Sequence, residues 1–425
     1  MTIPVRYRLV GLLFSGSAVN YIDRVNIAIA APAMMAATGL RKDQFGLVFS
    51  IFLLGYAVMQ IPAGILADRR SPRVLLMGCF AGFSLFTALT PLAASAAMSL
   101  LLARFLLGVF EGPTFPAITA FNSRLFPPTE LGRAQTLSLA GGSFGQMLAY
   151  PLSAWVLLQF SWQAVFYVSA LLGVAWLAVW SFSSRHGPRE RAGADAGEPG
   201  PPTVGRSVDV SHDLPLAFMF APPVLMLAAA AMFFALVLWT FIFWFPTYLI
   251  EARGFTLAEV GAIGMAIQGC GFLGTATSGL ISDAILLRTG KPRLARTAYA
   301  GACVALASIF LCGAVLVSSR AACVVLWGLC YFLLQSVNVA FLAAPAVLHP
   351  RRAASLYGVI NCAASIGAMC GPTLAGFLMT DSTNWSRAFA IVAAFGVISA
   401  LALFAIRLAR LEKPPAGERG DAICM

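Results

Sequence analysis

Four ionisable side chains stand inside long apolar runs of this 425-residue chain: Asp23, Arg24, Arg104 and Glu111. A charge in hydrocarbon is costly, so such groups face a cavity or a partner. An arginine stays charged, and its planar fork matches a carboxylate. Arg24 is therefore the first candidate for gripping an organic acid. A carboxyl group taken out of water keeps its proton more readily unless a cation is near. Asp23 and Glu111 are the candidates for taking up and releasing protons. The competing reading is that Asp23 with Arg104, or Glu111 with Arg24, forms a buried pair that only pins helices together.

Helical spacing separates these roles. Tyr21 and Arg24 are three apart and share a face, and Asn20, Asp23 and Asn26 form the neighbouring stripe. Asp23 and Arg24 point about 100° apart, which predicts different jobs. Arg104 and Glu111 share a face but lie about 10 Å apart along the axis, so each is expected to meet another span. The second half of the chain has no ionisable side chain in the middle of its apolar runs. It offers Gln268, Gln335, Asn338 and Asn361 instead. Tyr56, Gln60, Gln146 and Trp239 are further candidates, although such residues are more often core packing or helix–helix hydrogen bonds than ligand contacts.

The elements that must position these groups follow from composition. The chain is 60% hydrophobic and 11% charged, with a mean hydropathy of +0.84. A soluble chain is about a quarter charged, so these side chains need lipid as solvent. Twelve runs have roughly the 20 apolar residues that a span requires: 9–34, 46–67, 74–94, 98–121, 134–158, 163–182, 224–249, 260–281, 297–317, 321–347, 356–379 and 388–406. The first is too long and too polar in its middle for a signal peptide, and Cys424 is misplaced for prenylation.

Lys and Arg set the orientation. The side of the termini holds Arg6, Arg8, Arg69, Arg70, Arg73, Arg124, Arg133, the arginines of 183–213, the run from Arg288 to Arg296, Arg351, Arg352 and the basic C-terminal tail. The opposite loops hold only Arg41, Lys42, Arg253, Arg320 and Arg387. Both termini are expected in the cytoplasm, and the net charge of +11 needs no nucleic-acid partner. Residues 183–213, rich in Gly, Pro and charge, read as a flexible linker between two six-helix bundles at 1–182 and 214–410, with a tail at 411–425. An internal repeat supports the division. Gly64 and Asp68, with Arg73 beyond, follow the second run, and Gly279 and Asp283 follow the eighth; these five are the expected gating and structural residues. Two parallel halves are a known transporter plan. The expected fold is an all-α membrane protein of twelve helices in two pseudo-symmetric bundles.

Eight cysteines lie in or beside the runs without ligand spacing and read as small packing residues. His186, His212 and His349 all fall in connections, so no metal site, no cofactor and no histidine relay is expected. The glycine runs at 141–145 and 367–371 read as small-residue packing faces. No nucleophile–base set appears, and an enzyme is not expected.

Asn20-Tyr-Ile-Asp-Arg-Val-Asn-Ile-Ala28, Arg104-Phe-Leu-Leu-Gly-Val-Phe-Glu-Gly-Pro-Thr-Phe-Pro-Ala117 and Trp244-Phe-Pro-Thr-Tyr-Leu-Ile-Glu-Ala-Arg-Gly-Phe255 resemble the anion:cation symporter family of the major facilitator superfamily. The resemblance covers nearly the whole chain. It implies proton-driven uptake of a small organic anion by alternating access. Arg24 would contact the substrate carboxylate, Tyr21 and Tyr56 would help line the site, and Asp23 and Glu111 would couple protons, linked by Arg104. Gln146, Trp239 and Asn361 complete the expected substrate set. Two departures stand out. Ser71-Pro72 occupies the first cytoplasmic loop where the superfamily has a glycine, and Asn361 with Ser365 replaces a pair of asparagines. The expectation is a monomeric inner-membrane importer of a sugar acid such as a hexuronate, aldonate or glucarate. The alternatives are an importer of aromatic or other monocarboxylates, an anion exchanger or drug exporter, and a transporter-like sensor.

Overall fold

The computed structural model describes residues 5–69, 71–183, 220–349, 353–379 and 385–406, and these are almost wholly helical. The first half of the chain forms α1 (Val5–Thr38), α2 (Lys42–Arg69), α3 (Pro72–Ala93), α4 (Ala97–Glu111), α5 (Thr114–Leu125), α6 (Pro128–Gln159) and α7 (Trp162–Ser183). The second forms α8 (Pro222–Glu251), α9 (Leu257–Thr289), α10 (Tyr299–Leu316), α11 (Arg320–Ser336), α12 (Asn338–Leu348), α13 (Ala353–Leu378) and α14 (Trp385–Ala405). The linker and tail expected at 183–213 and 411–425 fall, Ser183 apart, outside the described residues, as do His186 and His212.

Among the described residues, ten helical segments are long and apolar enough to cross a membrane. α1 and α6 are not among them, although they run for 34 and 32 residues. Their interiors carry the polar load of the site: Asn20, Asp23, Arg24 and Asn26 in α1, and Gln135, Ser138, Ser143 and Gln146 in α6.

Two expected single spans are broken. α4 ends at Glu111, and Gly112 and Pro113 form a turn before α5. A proline inside a helix has no N–H to donate and crowds the carbonyl four residues back. The run at 321–347 is interrupted at Val337 between α11 and α12, and a π-helical turn at Leu294–Ala298 leads into α10.

The internal repeat is visible in the packing. α6 lies on α1 through Gly141 and Gly145, where an added Cβ would come within 1.9 Å of the Phe14 carbonyl and 2.2 Å of the Ala18 carbonyl. α13 lies on α8 in the same way, through Gly367 at 1.8 Å from the Met232 carbonyl and Gly371 at 2.4 Å from that of Leu236. Small residues let backbones approach where lipid supplies no hydrophobic drive. Six of the eight cysteines are buried or half-buried, but Cys362 and Cys370 are exposed rather than packed. His349, expected in a connection, follows α12 and is buried.

The two halves meet at one end. The start of α2 packs on the end of α13, where a Cβ at Gly46 would lie 2.7 Å from the Pro372 carbonyl and one at Gly376 2.5 Å from that of Lys42. Lys42 bridges to Glu251 at 2.7 Å, Thr373 donates to Ser50 at 2.6 Å, and Phe49 stacks on Phe243. The end of α6 meets the start of α9, with Ala154 and Tyr150 against Gly261 and Gly264. At the far ends of the same four helices, a Cβ on Gly64, Gly132, Gly279 or Gly358 would meet nothing within 4 Å. The interface is sealed away from the termini and open towards them.

Candidate functional site

The site begins at the crossing of α2 and α4. Gly55 and Gly108 face each other so closely that a Cβ on either would come within 2.1 Å of the opposing carbonyl, Phe105 and Phe52 respectively. This contact brings Phe52 and Tyr56 of α2 to the charged face of α4. Arg24 then reaches across from the middle of α1.

Arg24 donates from Nε at 3.1 Å and from Nη2 at 2.8 Å to the same oxygen, Oε2 of Glu111. Its guanidinium lies 4.6 Å from the centre of the Tyr56 ring, 4.8 Å from Tyr21 and 5.6 Å from Phe52. Both members of the ion pair are buried. The break after Glu111 ends α4 at that carboxylate, and Oε1 has no hydrogen-bond partner among the described residues.

Arg104, two turns before Glu111 on the same face of α4, is fully buried. Its guanidinium lies 4.9 Å from the Phe52 ring, and none of its three nitrogens has a hydrogen-bond partner among the described residues. Phe52 therefore stands between two cations. The link expected from Arg104 to the carboxylates is not made as a hydrogen bond here.

Asp23 faces away from Arg24, as the 100° offset requires. Its carboxylate accepts from Thr87 of α3 at 2.7 Å and from Asn26 at 3.2 Å, and Asn26 also donates to Ser169 of α7 at 2.9 Å. Asp23 has no ion pair among the described residues. Sequence reasoning missed Thr87, Ser169 and Phe52; a threonine and a serine in the middle of apolar runs were the available signal for the first two.

A cavity of about 210 Å³ opens beside Arg24, between the halves, lined from α1, α2, α8 and α13. Tyr21, Arg24, Tyr56, Trp239 and Asn361 all line it, together with Ser365. Arg24 is the one charged group among its lining residues. Gln146 does not line it. That side chain lies one turn beyond Gly142, where Tyr21 packs, and accepts a long 3.5 Å bond from Tyr331 of α11.

The residues expected to act in gating lie at the open end. Arg73 donates to the Ser181 carbonyl at 3.3 Å, and Asp283 pairs with Arg296 at 2.8 Å. The Asp68 side chain and that of Gln60 lie outside the described ones.

Two helical halves around a cleft lined by a single cation define a membrane transporter. The chain belongs to the major facilitator superfamily, whose family model matches residues 13–363. It is similar to the hexuronate transporter of Bacillus subtilis, 28% identical with 96% of each chain covered. It is similar also to a probable sulfoacetate transporter of Cupriavidus necator, at 29% with 99% of each covered. A probable galactarate/D-glucarate transporter of Escherichia coli is 28% identical over 92% of each. The resemblance read from the three sequence stretches is thus to a group of anion permeases. Among solved structures, a bacterial homologue of the human lysosomal transporter Spinster, inward-facing and unoccupied, superposes with a TM-score of 0.80 at 19% identity, covering 95% of this chain and 97% of the other. A D-xylose–proton symporter gives 0.71 at 13%, covering 94% and 97%.

Proposed function

We propose that the chain imports a small organic carboxylate together with protons, by alternating access about the Arg24 cavity. The observation that carries this reading is that the one charge lining the cavity is a cation already held by a carboxylate, Glu111. While Glu111 is ionised it competes with any incoming anion for Arg24. Once protonated it gives up that claim, and the guanidinium can take the substrate carboxylate in a charge-assisted fork. Proton and anion then bind together and leave together. Asp23, held by Thr87 and Asn26 on the far side of α1, is the second proton site. Arg104, whose three nitrogens have no hydrogen-bond partner among the described residues, is the cation that steadies whichever carboxylate is ionised.

The same reading takes α1 and α6 as the two further spans that bring the ten to twelve, their polar residues turned inward. It takes 1–182 and 214–410 as two bundles joined by a linker at 183–213, in a monomer in the inner membrane with cytoplasmic termini. The seal then lies on the outer side, and the cavity faces inward. The relatives' hexuronate and galactarate/glucarate support a sugar acid as the cargo class.

Purified protein in liposomes under an imposed inward proton gradient should accumulate a labelled sugar acid. Accumulation indifferent to the gradient would sink the coupling, and unchanged uptake in Arg24→Ala would sink the site.

A further inference from the structure

We propose that the cargo is a hydroxylated monoanion, and that a polar wall formed by Gln146, Gln268, Tyr331 and Gln335 reads its uncharged end while excluding a second carboxylate. The inference rests on the transport reading above and narrows its substrate class.

The wall lies where α6, α9 and α11 meet. Tyr21 joins it to the cavity. The Tyr21 ring packs on α6 at Gly142, where an added Cβ would come 2.6 Å from it, and Gln146 stands one turn further along the same face. From Gln146 the wall continues to Tyr331, whose hydroxyl donates at 3.5 Å, and to Gln335, which donates to that hydroxyl at 3.4 Å. Gln268 donates to Tyr150 at 3.5 Å. α9 and α11 are pressed together here, with Gly271 against both Tyr331 and Gln335.

These groups are out of water but poorly satisfied. Gln268 is 3% exposed and Tyr331 0%, yet their bonds exceed the usual 2.7–3.2 Å range. Gln268 Oε1 has no partner among the described residues. A buried amide oxygen without a partner is costly. Hydroxyl groups, which both donate and accept, would satisfy this set. A bare hydrocarbon tail would not.

Charge excludes the second carboxylate. The wall holds no cation, and Arg24 is the only charged residue lining the adjoining cavity. The buried ionisable groups of the site, Asp23, Glu111, Arg24 and Arg104, balance as two of each sign. One monoanion entering with one proton keeps that balance. A dianion keeps it only if Asp23 and Glu111 are both protonated, and its second carboxylate would still lie in low dielectric at a wall that offers no cation.

The test compares three six-carbon acids on the purified, full-length protein: gluconate, glucarate and hexanoate. Gluconate and glucarate differ only in a terminal CH2OH or carboxylate; hexanoate lacks the hydroxyls. Intrinsic fluorescence, to which Trp239 contributes as one of eight tryptophans, and competition against labelled gluconate report binding. Gluconate is expected to bind in an Arg24-dependent manner, with glucarate and hexanoate at least about tenfold weaker. Gln268→Leu should weaken gluconate about tenfold, leave residual hexanoate binding unchanged, and be partly rescued by Gln268→Asn. Glucarate matching gluconate overturns the exclusion of a second charge, and hexanoate matching it overturns the hydroxyl wall; either leaves anion transport standing. Unchanged gluconate binding in Gln268→Leu removes that residue from the wall. If none of the three acids binds through Arg24, the transport reading falls and this inference with it.

Discussion

Arg24 commits two of its nitrogens to one oxygen of Glu111, and the other oxygen of that carboxylate has no hydrogen-bond partner among the described residues. The pair joins α1 to the last residue of α4 and borders the cavity between the halves. A purely structural pair would be best served by a fork-to-fork arrangement with every oxygen satisfied. One-sided engagement instead leaves the guanidinium edge available to a second carboxylate.

Removing the Arg24 guanidinium should abolish binding of the anion. Truncating one member of a buried, hydrogen-bonded charge pair costs about 2–5 kcal/mol, which corresponds to a loss of at least about 30-fold in affinity. Arg24→Lys keeps the charge but loses the planar fork, so it should recover only part of the loss. Titration of purified protein with a sugar acid measures both. An Arg24→Lys protein indistinguishable from the parent would remove the fork from the argument.

Anion binding should weaken as pH rises, because an ionised Glu111 holds Arg24 and a protonated one does not. With one linked proton the slope approaches about tenfold in affinity per pH unit above the titration of the site. Glu111→Gln removes the competing charge. Its binding should be flat with pH and as tight as the parent's at low pH. Its exchange of labelled for unlabelled anion should persist, while accumulation driven by a proton gradient falls to background. A steep pH profile surviving in Glu111→Gln would assign the linked proton elsewhere.

The charged site was largely legible in the sequence because ionisable groups in apolar runs are few, and helical spacing fixes which of them share a face. Tyr21 and Arg24 share the cavity face, and Asp23 lies off it, as the three-residue and one-residue offsets require. The partners were not legible. Which of Arg24 and Arg104 meets Glu111 depends on how closely α2 and α4 cross, and that is set by Gly55 against Gly108 across some fifty positions of chain. The breaks at Gly112-Pro113 and Val337 were masked by hydropathy, which averages over a turn. Gln146, expected among the substrate residues, stands one turn beyond the cavity lining, next to Tyr331, a placement that depends on how α6 and α11 pack and not on the residue's own span.

Asp23→Asn should separate coupling from binding. Asp23 accepts from Thr87 and Asn26 and does not line the cavity. An amide oxygen can keep one of these bonds, and the threonine hydroxyl can turn to accept from the new NH2, so the loss of stability is about 1 kcal/mol. Binding should stay within about threefold of the parent, while gradient-driven accumulation is lost. Loss of binding equal to that of Arg24→Ala would mean that Asp23 holds Arg24 in place rather than a proton.

The seal between the halves can be opened by one side chain. A Cβ at Gly376 would come 2.5 Å from the Lys42 carbonyl, and that backbone cannot yield as a flexible side chain can. Gly376→Val should therefore forbid closure of the face away from the termini while leaving the packing inside each half untouched. Moving a two-state equilibrium from one side to the other takes about 5.5 kcal/mol, and overlap of a branched side chain with backbone in a close-packed contact exceeds what the interface can absorb. The variant should fold, bind anion within about threefold of the parent, and fail to transport. A single cysteine placed at Ala364 in the cavity, in a protein stripped of its native cysteines, reports the direction of access. An impermeant thiol reagent should reach it from the side of the termini in the parent and from the opposite side in Gly376→Val. Labelling from the side of the termini in both would show that contact between α2 and α13 does not set which face is closed.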